Sequence, residues 1–298
     1  MTVEKIKGKV WVTVNGVTKN VSQWAREYGI SEKTLSGRLQ SGWSEEHLFD
    51  PPGLWKPTPC FNEHFFDVID NEKKAYWLGF IWCDGYMAIR HRNNRVSYEF
   101  KLSLKDTDEN HLVKFNKDLS GSYKVKYYST RGFNGKGVAT EARLLITNQH
   151  FGKTLVEQYG FVPKRSDCSK IISSISEELM PHFIRGVIEA DGTFCKYRIT
   201  DKGYDVDKYR VSIGTNEDIL RTIEQHLMNN GIINISERKL YQRHEGGDGE
   251  YRTLEISGKT QCLNILNYIY KDANVYLDRK YERYLDIIGK TEVVNNAV

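Results

Sequence analysis

The sequence predicts an α+β protein of two similar halves, each running α-β-β-α-β-β-α with an antiparallel, saddle-shaped sheet. A small β-hairpin and helix-turn-helix-like domain precedes them. Three observations carry this. A ten-residue apolar stretch ending in Asp-Gly occurs twice, at 76–85 and at 183–192. Each copy is followed by the same succession of period-two and helical patterns. Four of the six prolines fall within 50–59, where they deny the chain regular structure and mark a linker. The expected divisions are an N-terminal module over 1–49, a linker and adapter over 50–71, and halves over 72–170 and 171–298.

Residues 9–21 alternate apolar and polar around Asn15-Gly16, a strong short-range hairpin signal, so a two-stranded ribbon is expected. A helix over 22–28, a turn at Gly29, and a second helix capped by Ser31 and ended at Gly42 follow. The spacing fits a helix-turn-helix, whose second helix would offer Lys33, Thr34, Ser36, Arg38 and Gln40 to a DNA groove, and it fits equally a helical hairpin that only packs.

After the first motif copy, strands are expected over 86–90 and 96–104, a helix over 107–119, strands over 123–130 and 138–147 around a glycine-rich turn, and a helix over 150–159. After the second copy the order repeats, with strands over 193–199 and 209–214 around a loop at 201–207. A helix over 216–229, strands over 234–243 and 251–257, a helix from 260 and a last helix over 278–288 complete it. On the strands, apolar residues alternate with Arg90, Arg92, Lys101, Ser103, Lys105, Lys124 and Lys126 in the first half, and with Lys196, Arg198, Arg210, Ser212, Arg238 and Arg252 in the second. Such a face is most often the wet side of a half-buried sheet. Two sheets repeating it point instead to a double-stranded DNA partner read through the major groove, with cations on phosphates.

Each motif copy has helical length and spacing, and the closing glycine suits a left-handed cap. A carboxylate at a helix C-terminus faces the last unpaired carbonyls and the negative end of the dipole. With a divalent cation, the same oxygens become a hard ligand set of the kind Mg²⁺ prefers. Gly79 stands four residues before Cys83, and Gly186 four before Ala190. Small residues on one face let the two helices approach closely, which brings Asp84 and Asp191 together.

The two copies resemble the paired motifs of the LAGLIDADG homing endonucleases, in the form with both halves on one chain. Trp82 stands where that family often has an acid, and Leu78 and Arg185 replace a usual alanine. The resemblance implies a site-specific endonuclease that hydrolyses both strands of a long, nearly asymmetric DNA target, encoded in a mobile intron or free-standing in a phage or bacterial genome. It implies Asp84 and Asp191 as ligands of two or three Mg²⁺ (or Mn²⁺) ions, with the backbone carbonyls of Cys83 and Ala190 as plausible additions. It also implies a central basic residue in each half, matched by Lys164 and Lys280, with Arg165 or Arg279 one residue away. Asp106 and Thr215 are weaker candidates for positioning water. The stretch from Trp24 through Gly29 to Trp43 is similar to a small module joined to phage and mobile-intron endonucleases. An RNA-splicing maturase, which would bind its own intron RNA, or a DNA-binding regulator on the same scaffold is the alternative.

A formal net charge of +4 is mild for a nucleic-acid binder, so the placement of charge matters more than its sum. Five cysteines without a Cys-x-x-Cys pair suggest neither a disulfide framework nor a zinc site. The apolar runs are too short to span a membrane. A monomer in the cytoplasm of a bacterial or phage-infected cell is expected. The histidines form no metal-spaced pair, and His91, His150 and His244 read as surface residues. No glycine-rich phosphate loop opens a helix after a strand.

Overall fold

The computed structural model describes residues 1–6, 9–52, 59–93, 95–131, 138–163, 167–201, 204–234, 240–242 and 251–289. The chain forms two compact units, Met1–Pro59 and Cys60–Val298.

In the first unit, β1 (Thr2–Ile6), β2 (Lys9–Val14) and β3 (Val17–Asn20) make an antiparallel sheet in that order. The expected ribbon is β2 and β3, joined by Asn15 and Gly16, both at positive φ as a type I′ turn requires. The added β1 is an edge strand. Its Val3 is exposed, so it carries little of the alternation that reveals a strand. Asn20 caps α1 (Val21–Glu27) in a reciprocal pairing with Gln23, which starts the helix one residue before the expected position. Ser31 caps α2 (Glu32–Gln40), accepting from the Thr34 amide at 3.0 Å. Gly29 and Gly42 take the left-handed conformation that ends each helix. Val12, Trp24, Ala25, Leu35, Trp43 and Leu48 fill a separate small core, in which the Trp24 indole donates to the Val12 carbonyl at 2.8 Å.

In the second unit, the first half runs α3 (Glu72–Asp84), β4 (Gly85–Arg92), β5 (Arg95–Lys105), a 3₁₀ turn at Asp106–Asp108, α4 (Glu109–Asp118), β6 (Lys126–Arg131), β7 (Val138–Thr147), α5 (Gln149–Tyr159) and the short α6 (Ser169–Ser173). The second runs α7 (Met180–Asp191), β8 (Gly192–Asp201), β9 (Tyr204–Asn216), α8 (Glu217–Asn229), β10 (Tyr241–Gln242), β11 (Tyr251–Ser257), α9 (Lys259–Tyr270) and α10 (Asp278–Ile288). The sheets have matching orders, β4-β5-β7-β6 and β8-β9-β11-β10, antiparallel throughout. One hydrophobic core runs through both halves, and α3 and α7 form its centre.

Two expectations change. Of the loop expected at 201–207, the described residues 201 and 204–207 belong to strands. β8 and β9 pair out to Asp201 opposite Tyr204, and cross-strand contacts from Lys196 and Arg198 to Asp207 and from Thr200 to Asp205 support a polar ribbon that has no apolar pattern to announce it. Gly85 and Gly192 are not left-handed caps. Both are extended, with φ of −79° and −99°, and begin β4 and β8 directly from the helix. What excludes a side chain there is space. A Cβ on Gly85 would lie 2.5 Å from the Ile81 carbonyl oxygen, and one on Gly192 2.7 Å from that of Ile188.

Candidate active site and nucleic-acid interface

The site is made by the crossing of α3 and α7. A Cβ on Gly79 would sit 2.3 Å from the Phe183 carbonyl oxygen, and one on Gly186 would sit 2.1 Å from that of Tyr76. The backbones therefore touch, and the two helices end side by side at Asp84 and Asp191. Burial raises the Asp84 carboxyl from its ordinary 3.8 to about 7, the negative charge of Asp191 adds to the rise, and Lys280 and Arg279 oppose it. Two carboxylates thus face one another at helix ends that are themselves negative. The set of hard oxygens fits a divalent cation of the Mg²⁺ or Mn²⁺ type, and Asp84, Asp191 and the nearby carbonyls of Cys83 and Ala190 are the groups available to hold it.

Lys280 is brought to the same place. It lies buried in the first turn of α10, and its ammonium donates to the carbonyls of Ile188 at 2.8 Å and Gly192 at 2.7 Å. It thereby places a cation on the last turn of α7. Burial and the neighbouring Arg279 lower its pKa to about 8, against the pull of Glu189, Asp84 and Asp191. Of the two basic residues the sequence leaves open here, Lys280 occupies the site, while the Arg279 Nε reaches both Asp108 oxygens at 2.9 and 3.0 Å. A cleft of about 250 Å³ beside the motif end is lined by Ala190, Gly192, Thr193, Phe194, Arg279, Lys280 and Arg283. Arg283 escapes the sequence reading, although its three-residue spacing from Lys280 places both on one helix face. Lys164 and Arg165 lie outside the described residues. Phe161, at the start of their segment, packs against Trp82 and Gly85.

Two residues support the site from behind: Glu189, the acid that the first copy replaces by Trp82, and Arg185, which departs from the motif. Glu189, fully buried, accepts from the hydroxyls of Tyr76 and Tyr270 at 2.6 Å each and from the Leu277 amide at 2.7 Å. The last bond fixes the segment that delivers Lys280. Burial raises the Glu189 carboxyl, against those hydrogen bonds. The Tyr76 oxygen, its proton committed to Glu189, receives the Nε2 proton of His111 at 2.8 Å. His111 is thus a neutral core residue, lowered to about 3 chiefly by burial. Arg185, also fully buried, spends its guanidinium on the carbonyls of Val275 and Ile269 and on Glu72 at 2.6 Å. These partners lie far apart in sequence, so no local pattern marks them.

Of the water-positioning candidates, Asp106 accepts from the Thr107 amide at 2.9 Å, and Thr215 is fully buried with a hydroxyl that has no hydrogen-bond partner among the described residues.

The sheet faces sort the proposed DNA contacts. On β5, Tyr98, Phe100, Leu102 and Leu104 are buried while Lys101, Ser103 and Lys105 face the other way. Arg90 and Arg92 share that open face by the β4–β5 register, and exposed Lys124 and Lys126 flank it. In the second half, Arg210 and Ser212 take the open face of β9 opposite buried Val211 and Ile213. Lys196 and Arg198 do not join them. They alternate with the open-face residues of β8 and share the side of buried Phe194, where both meet Asp207. Arg252 likewise lies on the side of Leu254 and Ile256 and pairs with Glu217. The open faces are also less basic than the lysines and arginines alone suggest. Glu99 pairs with Arg90, Glu141 with Arg143 and Glu255 with Arg210, and Ser103 accepts from Arg143. Arg238 lies outside the described residues.

In the N-terminal unit, Lys33 is exposed and Thr34 half-buried, its hydroxyl paired with Ser31. Arg38 is not available to a groove. It is 4% exposed, donates to the Leu48 carbonyl at 2.9 Å and stacks over Trp43. It belongs to the small core, its stem buried there while the guanidinium is met by the Leu48 carbonyl and the Trp43 ring.

The fold and site define a pseudo-symmetric single chain with one acidic centre shared by its halves. No family model and no curated protein sequence matches the chain. Among solved structures it is similar to the LAGLIDADG meganuclease I-AabMI bound to uncleaved DNA, at 15% identity and a TM-score of 0.45 over 74% of this chain and 90% of that one. It is similar to I-CpaMI bound to uncleaved DNA, at 13% identity and 0.47 over 74% and 92%. It is also similar to the homing endonuclease I-SmaMI bound to cleaved DNA, at 14% identity and 0.47 over 74% and 89%. All three are LAGLIDADG proteins, the family that the two motif copies resemble.

Proposed function

We propose that this chain is a site-specific DNA endonuclease that needs a divalent metal ion. The observation that carries the reading is the backbone contact at Gly79 and Gly186, which sets two acid-terminated helices side by side. Asp84 and Asp191 would hold Mg²⁺ or Mn²⁺, and such ions, when bound, polarise a phosphodiester and lower the pKa of a bound water. The chain's own groups do the rest. Lys280 holds positive charge beside both carboxylates, and Lys164 is proposed as its counterpart in the first half. Arg279, Lys280 and Arg283 line a cleft suited to a phosphate.

The open faces of the two sheets would lie along the duplex. Lys101, Lys105, Lys124, Lys126, Arg92 and Arg210 are the proposed contacts, with Arg90 exchanging Glu99 for a phosphate or base edge. Two unlike halves suit a long, nearly asymmetric target read by a monomer. The N-terminal unit would add contacts through Lys33 and its neighbours. A maturase or regulator on the same scaffold would use the same faces without cutting.

A cleavage selection on a plasmid library that includes intron-insertion-type sequences tests the reading, run with Mg²⁺ and with EDTA. Metal-dependent cutting at one long site, lost in Asp191→Asn, is expected. Tight binding of the selected DNA without cutting would transfer the chain to the regulator reading, and preferential binding of structured RNA would favour the maturase.

A further inference from the structure

The adapter segment and α5 bring together three metal-ligating side chains that the endonuclease reading does not use. His64 Nδ1 lies 2.7 Å from one oxygen of Asp67, and His150 Nε2 lies 2.7 Å from the other. Among the described residues, one ligand atom from each of the three falls within 4.8 Å of the others. The imidazole rings stand 4.2 Å apart between centroids. Read singly, His150 is a surface residue. Its partners are more than 80 residues away, so only the fold assembles the cluster.

The geometry points to a second, independent metal site, at which His64, Asp67 and His150 bind one late first-row divalent cation of the zinc class. Two imidazoles and a carboxylate suit Zn²⁺, Co²⁺ or Ni²⁺ and are a poor set for Mg²⁺, which prefers oxygen ligands and keeps its water. A tetrahedral ion with bonds of about 2.0–2.1 Å needs its donors roughly 3.3 Å apart. The hydrogen-bonded nitrogen and oxygen atoms would open by about half an ångström, and the imidazoles would turn toward each other. The ion would take the place of the protons that now join the rings to Asp67.

Outer groups are in place to orient the ligands. The Thr154 hydroxyl donates to Asp67 at 3.3 Å, and Glu63 Oε1 stands 3.8 Å from His64 Nε2. All three ligands are partly exposed, so the ion has an entry path and would keep water in its remaining position.

Such an ion would clip the segment before α3 onto the first turn of α5. That junction is otherwise made by hydrogen bonds, Asn148 to Glu63 and the Tyr159 hydroxyl to the Phe66 carbonyl, each at 2.6 Å, together with the packing of Phe65 and Phe66. The role is structural, and it holds whether or not the chain cuts DNA.

The test uses the full chain with Co²⁺ as probe, in excess Mg²⁺. One equivalent bound, with the visible absorption of a tetrahedral Co²⁺ site and a rise in Tm that saturates at that equivalent, is expected. The Asp84→Asn/Asp191→Asn double variant should bind Co²⁺ unchanged. His150→Ala, at a half-buried position, and His64→Gln, at an exposed one, should each weaken binding at least tenfold while circular dichroism stays that of the wild type. Binding that survives both histidine variants, or folded wild type that takes up no Co²⁺, would overturn the assignment.

Discussion

Asp84 and Lys280 carry opposite distortions from one cause. Each is drawn into a poorly hydrated centre, which raises the acid to about 7 and lowers the base to about 8. For the metal-free protein this has a definite sign. Asp84 gives up its proton near 3.8 in the unfolded chain and near 7 in the folded one, so the unfolded state loses protons first. The stability associated with its neutral form is complete below about 3.8 and is lost as pH rises through about 7. In EDTA at pH 8, Asp84→Asn should therefore be more stable than wild type by roughly 2–4 kcal/mol, measurable by urea denaturation. Adding Mg²⁺ should stabilise the wild type and leave the variant nearly unmoved. Lys280→Met keeps most of the buried volume and removes the charge. Single-turnover cleavage should fall by about 10²–10³ while the DNA footprint persists.

At the scale of elements, the decisive contact is α3 against α7. A methyl group on Gly186 would overlap the Tyr76 carbonyl, and neither backbone can yield without moving the buried stretches 75–82 and 183–189. Gly186→Ala and Gly79→Ala should each cost more than about 2 kcal/mol, at or above the upper range for overpacking, and should abolish cleavage together with folding. The same pair shows how much the sequence discloses. A glycine four residues before a small residue, in an apolar run repeated once, is a local pattern, and the crossing and the meeting of both acids were legible from it, whereas Lys280 came only from the family resemblance, with Arg279 open beside it. The order of strands was legible for the same reason, since alternation and turn residues are local. The function of Gly85 and Gly192 was not, because it depends on Ile81, Ile188 and the strands that pack across them. Nor were the partners of Glu189 and Arg185, or the acids that pair with Arg90 and Arg210, because strand register and interhelical contacts decide them. Lys196, Arg198 and Arg252 mislead for a related reason. On β8 beyond Phe194, and at the start of β11, neither face is buried, so a polar residue no longer reports which face it occupies.

For the whole molecule, two halves of like topology share one core and one acidic centre, while the N-terminal unit keeps a core of its own. Deleting residues 1–52 should leave cleavage chemistry in place, shorten the footprint and weaken affinity. An unchanged footprint and affinity would remove the N-terminal unit from the DNA interface. The asymmetry of the halves, with Glu189 at the motif position that Trp82 holds in the first copy and Arg185 at that of Leu78, gives the two scissile strands unlike surroundings, and their rates should differ. The most direct measurement is strand-resolved cleavage of the selected target in Mg²⁺ by wild type beside the Asp84→Asn/Asp191→Asn double variant. Cutting of the target by wild type, with the variant forming the same footprint and leaving both strands intact, is the predicted result. A double variant that cuts at near the wild-type rate would show that the paired helix ends are not the catalytic centre.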